Sequence, residues 1–349
     1  MDIVIFVVAL SLLVLVHELG HFLASKLVGV RVEEFGLGLP PKIVGIKIGE
    51  TVFSLNWLPI GGFCKLFGED AEAKGSRAFG NKNPWQKMLV VLGGVLMNLV
   101  MAIIVFSVVY TIMGVPKDTD KVKVIGVAKN SPAETAGLKE DDWVRAVNGV
   151  EIKQPSQLTE EVGKYKGKDV ELLIENAGVS SAVKVAVREN PPSGEGAIGI
   201  AISSTVMEKI KWYQFYKGIG AGFKEAYFWG KVIGGGVVNM IGGLFSGHIP
   251  KDVSGPIGMF EATSSIKKSQ GMLAVIHFFG VVSVNLAVVN ILPFPALDGG
   301  RIIFVVYELL SRRKANPKLE MAVNNFGMLV LLGLIVLITV GDVGRLIRK

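Results

Sequence analysis

Charged residues are confined to blocks, and the apolar gaps between them set the first reading. From Met88 to Met113 the run MLVVLGGVLMNLVMAIIVFSVVYTIM carries no charged residue. It exceeds the roughly 20 apolar residues that a helix needs to cross the hydrocarbon of a bilayer. From Gly271 to Leu292 the only ionisable side chain is His277; FGMLVLLGLIVLITVG at 326–341 is shorter but strongly apolar, and the run from Ile3 to Val30 makes a fourth. The pattern predicts a polytopic α-helical membrane protein with about four transmembrane helices, at 1–30, 88–113, within 271–311 and at 323–345. The first run opens Met-Asp, without a basic region or a good small-residue cleavage site, so it is expected to stay as a span rather than be removed as a signal peptide.

The intervening segments have their own periods. In 31–87, Ile46, Ile48, Phe53, Leu55 and Trp57 alternate with less apolar positions around Gly49-Glu50, which predicts a β-hairpin. Its apolar content places it in or against the membrane face, where irregular backbone is tolerated only if buried in protein or lining a cavity. Residues 121–190 turn polar, with strand-like KVKVIGVA and DVELLIE and a helical SQLTEEVGKY. Within them, NSPAETAGLKEDDWVRAVNGVEI (130–152) resembles the core of a PDZ domain. That resemblance implies an inserted domain whose strand at 122–128 and helix at 156–165 frame a peptide groove, used by strand addition. Residues 206–270 hold KIKWYQFYKGIGAGFKEAYFWGK, where lysines interleave with eight aromatic residues. This composition suits the headgroup layer, and amphipathic surface helices are expected there, followed by an SGPIG loop.

Composition changes the picture little. Half the residues are apolar and the net charge is +7. In a membrane protein that excess reads as lipid-facing and cytoplasmic loops, and nucleic acid is not expected as a partner. The single Cys64 excludes an intramolecular disulfide. Loop 31–87 holds eight Lys/Arg, and Arg312-Arg313-Lys314 with Lys318 follow the third span. The positive-inside rule makes both cytoplasmic and the inserted domain extracytoplasmic.

Chemistry enters with LLVLVHELGHFLASK at 12–26. His17 and His21, four apart, share one helix face, where two imidazoles can bind one zinc and Glu18 can act as a base. A charged residue at bilayer depth costs at least about 2.5 kcal/mol, and a metal supplies the partner that three ionisable groups in one turn need. A third protein ligand is then required. His248 and His277 are candidates, but Asp298 in NLAVVNILPFPALDGGR (285–301) is the better one. Pro293 and Pro295 break the helix just before it, and it lies between two apolar runs.

His-Glu-Leu-Gly-His together with Asn290-x-x-Pro-x-Pro-x-Leu-Asp298-Gly resembles the site-2 protease family of intramembrane zinc metalloproteases. Supporting matches are GLGLPP at 36–41, GGFCKLFGED at 61–70, Met97-Asn98 and SGPIG at 254–258. The resemblance implies His17, His21 and Asp298 as zinc ligands and Glu18 as general base, with Asn290 holding substrate near the metal. Gly61, Gly62 and Phe63, or the hairpin at 43–57, are expected to receive the unwound substrate. It further implies a bacterial inner-membrane enzyme, with its active site toward the cytoplasm. Its partners would be single-span proteins such as anti-sigma factors, already cut by a site-1 protease, and remnant signal peptides. Two departures stand out: one PDZ domain where well-known relatives have two, and GGVLMN where a Gly-Pro pair is common. The competing readings are an inactive membrane scaffold that binds C-termini, and a zinc transporter; the latter lacks the repeated halves expected of one.

Overall fold

The computed structural model describes residues 2–69, 75–176, 178–192, 194–245 and 255–347. Two compact units emerge: one from Met1–Thr111 together with Tyr213–Lys349, the other from Ile112–Trp212.

The larger unit begins with α1 (Asp2–Leu27), the strands β1 (Val32–Ile48) and β2 (Thr51–Leu66), and α2 (Pro84–Met113). The inserted unit follows with β3 (Val115–Val127), α3 (Pro132–Thr135), β4 (Trp143–Val147), β5 (Val150–Glu151), α4 (Pro155–Gly163), β6 (Asp169–Asn176), β7 (Val179–Ala186) and β8 (Ile200–Glu208). The chain then returns to the larger unit as α5 (Phe215–Phe245), α6 (Pro256–Gln270), α7 (Met272–Asn290), α8 (Asp298–Ser311) and α9 (Pro317–Ile347). Among the described residues, α1, α2, α7 and residues Pro317–Gly344 of α9 are long and apolar enough to cross a membrane. The protein is a multi-pass membrane protein.

Helices in lipid gain nothing from burying hydrocarbon against hydrocarbon, so small residues that permit close packing decide which faces meet. Gly20 of α1 and Gly93 of α2 are in backbone contact: a Cβ on Gly93 would lie 2.6 Å from the Gly20 carbonyl oxygen. Gly222 brings α5 onto α2 in the same way, where a Cβ would lie 2.6 Å from Ser107 N. Gly280 of α7 receives the Phe106 ring of α2. Phe6 and Leu13 of α1 pack with Val275, Phe279 and Val282 of α7. Outward side chains are apolar, as a surrounding of lipid requires; Leu329 and Leu337 of α9 are each 70% exposed.

The hairpin turns at Gly49-Glu50, with Ile48 paired to Thr51. Its strands are longer than the alternation at 43–57 indicated, and each bends back on itself. Residues 32–37 pair on one side with 62–66 and on the other with 52–55, which pair in turn with 44–47. The result is a four-segment mixed sheet, in which 34–37 and 52–55 run parallel and the two outer pairs antiparallel, and whose open edges among the described residues are 62–66 and 44–48. Its base is fixed by Val30, Val32, Leu66, Phe79 and Val90, all buried. Glu50 accepts from Lys26 Nζ at 2.7 Å and Arg77 Nη2 at 2.6 Å.

Within 206–270, where amphipathic surface helices and an SGPIG loop are expected, lie one continuous 31-residue helix, α5, and a second helix, α6, that begins at Pro256 inside SGPIG. Phe215, Tyr216, Phe223, Tyr227 and Phe228 are more than half exposed along α5. The run 271–311 is two helices, α7 and α8, because Pro293 and Pro295 interrupt the backbone ladder between them.

The inserted unit is a PDZ-like domain. Its sheet runs β7-β6-β4-β3-β8, with β5 on β4. Val170, Leu172 and Ile174 alternate inward along β6 onto Val122, Val144, Leu158 and Val162. The unit is wider than the expected 121–190, because β3 begins at Val115 and β8 supplies a further strand. The groove assignment also changes. β3, which contains 122–127, pairs with both β4 and β8, so neither of its edges is free for a peptide. The edge strand beside α4 is β8.

Candidate metal centre

α1 carries His17 and His21 on the face turned to α2, and their Nε2 atoms lie 3.2 Å apart. The third group, Asp298, lies 277 positions beyond His21 in the chain. α7 ends at Asn290, residues 291–297 turn tightly, and α8 opens on Asp298. Gly299 and Gly300 permit that turn: a Cβ on Gly300 would sit 2.5 Å from the Phe294 carbonyl oxygen. From α9, Gly327 packs on Pro295 and Asn324 Oδ1 accepts from Ala296 N at 3.4 Å. Asp298 Oδ2 thereby reaches 3.1 Å from His17 Nε2 and 3.5 Å from His21 Nε2.

Two imidazoles and a carboxylate form the donor set of a zinc site that leaves a fourth position open, with bonds of roughly 2.0–2.2 Å. Separations of 3.1, 3.2 and 3.5 Å between donor atoms are the size of one face of such a tetrahedron. Asp298 Oδ2 is buried and accepts no hydrogen bond of good geometry, as an atom meant for a cation would be. His21 Nδ1 lies 2.9 Å from the Val90 carbonyl oxygen. A carbonyl can only accept, so His21 carries its hydrogen on Nδ1 and turns a lone pair on Nε2 into the site. The residues fit the metal. Among the described residues, these three are the one His/Cys/Asp/Glu group close enough to hold an ion.

The backing surface comes from α2. Val90, Gly94 and Asn98 recur at four-residue spacing and so share one face. A Cβ on Gly94 would stand 2.5 Å from His21 Nε2 and 2.6 Å from His17 Cε1; only glycine leaves room there. Asn98, fully buried, places Nδ2 3.2 Å from His17 Nδ1. Neither residue received a role from the sequence; an amide inside an otherwise uncharged span was the signal.

Glu18, His17, His21, Asp298, Asn290 and Phe63 line one cavity of about 380 Å³. Asn290 Nδ2 is 3.4 Å from His17 Nε2. A Cβ on Gly62 would lie 3.5 Å from Glu18 Cγ, so the 62–66 edge borders the base candidate; Gly61, with φ +88°, turns the chain into it. The far edge near 44–48 does not line this cavity. Arg301 of α8 pairs with Glu69 just beyond β2, which fastens that edge to the helix bearing Asp298. His277 lies apart from the metal group, 3.1 Å from Glu225 Oε1, and His248 is outside the described residues.

Two imidazoles and a carboxylate placed to hold one metal ion, among helices long and apolar enough to cross a membrane, are the parts that an intramembrane metallopeptidase requires. The Peptidase family M50 model matches residues 5–334. The chain belongs to this family, the site-2 proteases, and is a zinc metalloprotease. A predicted zinc metalloprotease of Clostridium perfringens is 35% identical over 98% of both chains, and one of Fusobacterium nucleatum 31% over 99% of both. The zinc metalloprotease RasP of Shouchella clausii is 25% identical over 98% of both. A PDZ domain of an SdrC-like protein from Listeria monocytogenes is 20% identical with a TM-score of 0.22, covering 24% of this chain and 87% of that one.

Proposed function

We propose that this protease hydrolyses peptide bonds within or beside the transmembrane segments of single-span membrane proteins, with His17, His21 and Asp298 as zinc ligands and Glu18 as general base. The observation that carries the reading is the placement of Glu18. It shares one cavity with the three metal-directed atoms, inside apolar helices and beside 62–66, whose outer side pairs with no strand among the described residues. Zinc held there would supply Lewis acidity to the scissile carbonyl and the attacking water. Glu18 takes the proton from that water and delivers it to the leaving amine. A transmembrane helix hides its carbonyls in intrahelical hydrogen bonds, so the substrate unwinds first. The 62–66 edge, with Gly61, Gly62 and Phe63 at its start, receives the extended segment as an added strand, and the Asn290 amide holds it near the metal.

The basic loops at 31–87 and 312–318 favour a cytoplasmic-side active site in a bacterial inner membrane and an extracytoplasmic PDZ-like domain. That domain selects substrates, which would include anti-sigma factors trimmed by a site-1 protease and remnant signal peptides. The test compares membrane proteomes of cells holding the wild-type protein and Glu18→Gln. Single-span proteins, full-length or once-cut, accumulate only with the variant; identical proteomes would overturn the proposal.

A further inference from the structure

Each histidine of the pair has a second ring nitrogen facing α2. For His21 the partner is the Val90 carbonyl oxygen, which settles where its hydrogen lies. For His17 the partner is the Asn98 amide, which can either donate or accept. As oriented, Nδ2 sits 3.2 Å from His17 Nδ1 and Oδ1 is buried without a partner. That arrangement makes Nδ1 the acceptor and puts the His17 hydrogen on Nε2, the atom aimed at Asp298 Oδ2. A metal-bound Nε2 cannot carry that hydrogen. The two ends of an asparagine amide are nearly isosteric, so a half-turn presents Oδ1 to His17 Nδ1–H instead.

We propose that Asn98 is a positioning residue for the metal centre. With zinc present, its Oδ1 accepts from His17 Nδ1–H, fixes the ring's tautomer and aims the Nε2 lone pair at the metal. Outer partners of this kind orient ligating imidazoles and raise their basicity. The scaffold at this depth is built for it. Ser283 of α7, fully buried, donates to the Asn98 carbonyl oxygen at 2.8 Å and ties the backbone of α2 to α7. One turn before it, Gly94 leaves the imidazoles room. His17 and His21 would thus be oriented by two acceptors eight residues apart on one face of α2, one main-chain and one side-chain. The proposal rests on reading His17 as a zinc ligand.

The test uses the full-length protein in detergent. Zinc affinity is measured by competition with a chromophoric chelator for wild type, Asn98→Ala, Asn98→Leu and Asn98→Asp. Aspartate keeps an acceptor and has no donor, whereas leucine keeps the volume and has neither. Zinc binding is expected to weaken about 10- to 100-fold in Asn98→Ala and Asn98→Leu and to stay within a few-fold of wild type in Asn98→Asp. Should the alanine variant not fold, the wild-type protein labelled with ¹⁵N-histidine decides: zinc-loaded His17 is expected to carry its hydrogen on Nδ1. Wild-type affinity in both Ala and Leu variants, an Asp variant as weak as Ala, or a hydrogen on His17 Nε2 in the zinc form would each overturn the role of Asn98. Loss of zinc binding at His17 in the wild type would instead overturn the ligand assignment beneath it.

Discussion

His17 Nε2 and Asp298 Oδ2 stand 3.1 Å apart, brought together from the first helix and the N-terminus of α8. A cation held between them would make them two corners of its coordination. Removing Asp298 leaves two ligands. Asp298→Ala is expected to lower zinc affinity by more than the roughly 100-fold that loss of an outer partner can cost. Metal analysis after dialysis checks this. Retention of one equivalent of zinc would exclude Asp298 as a ligand.

Gly94 gives a steric counterpart. Alanine there would place a methyl 2.5 Å from His21 Nε2 and 2.6 Å from His17 Cε1, so Gly94→Ala is expected to abolish zinc binding while the helices still assemble. Leu96→Ala, on an exposed part of the same helix, is expected to bind zinc normally. Equal zinc content in the two variants would show that the histidines have slack which this packing denies them.

Lys87 and Glu308 form a bidentate pair, 2.7 and 3.0 Å, between α2 and α8, with side chains only 7% and 10% exposed. Breaking a buried pair strands one charge and costs about 3–5 kcal/mol, whereas replacing both partners with apolar residues is often neutral. Lys87→Met is therefore expected to lower the melting temperature in detergent, and Lys87→Met with Glu308→Leu to recover most of it. A double variant as unstable as the single one would contradict this account.

Glu50 contributes to the pH dependence of the hairpin. Hydrogen bonds from Arg77 and then Lys26 hold its carboxyl down at about 2, below its ordinary 4.5. A depressed carboxylate stabilises the fold above its unfolded value, and that contribution is lost as pH falls through the folded one. Protease protection of the hairpin should thus decline between about pH 4.5 and 2, and Glu50→Gln should flatten that decline. The group is open to solvent, so the effect is small. The same slope in both proteins would remove Glu50 as its source.

Much of this was legible in the chain because bilayer physics is severe. Long uncharged runs mark spans, and ionisable groups within them need partners, which links His17, Glu18 and His21 to Asp298 in the sequence alone. The hairpin turn at Gly49-Glu50 followed from a period of two. Its folding into four segments did not, because bends within a strand leave the alternation intact. Strand order in the inserted domain was equally hidden: β8 lies far from β3 in sequence, and nothing in its residues announces the pairing. Gly94 and Asn98 fell within landmarks of the family resemblance but carried no role in sequence; their meaning is their distance from two imidazoles on another helix.

Cutting of peptide bonds at membrane depth by these residues can be observed on a defined substrate. The most direct measurement reconstitutes the wild-type protein or Glu18→Gln in lipid vesicles with a single-span substrate and maps the products by mass spectrometry. The wild type is expected to cleave within or beside the substrate's span. Glu18→Gln should hold the same zinc content and lose roughly 100-fold or more in rate. Undiminished cleavage by Glu18→Gln, or cuts confined to the substrate's soluble parts, would contradict cutting at membrane depth by these residues.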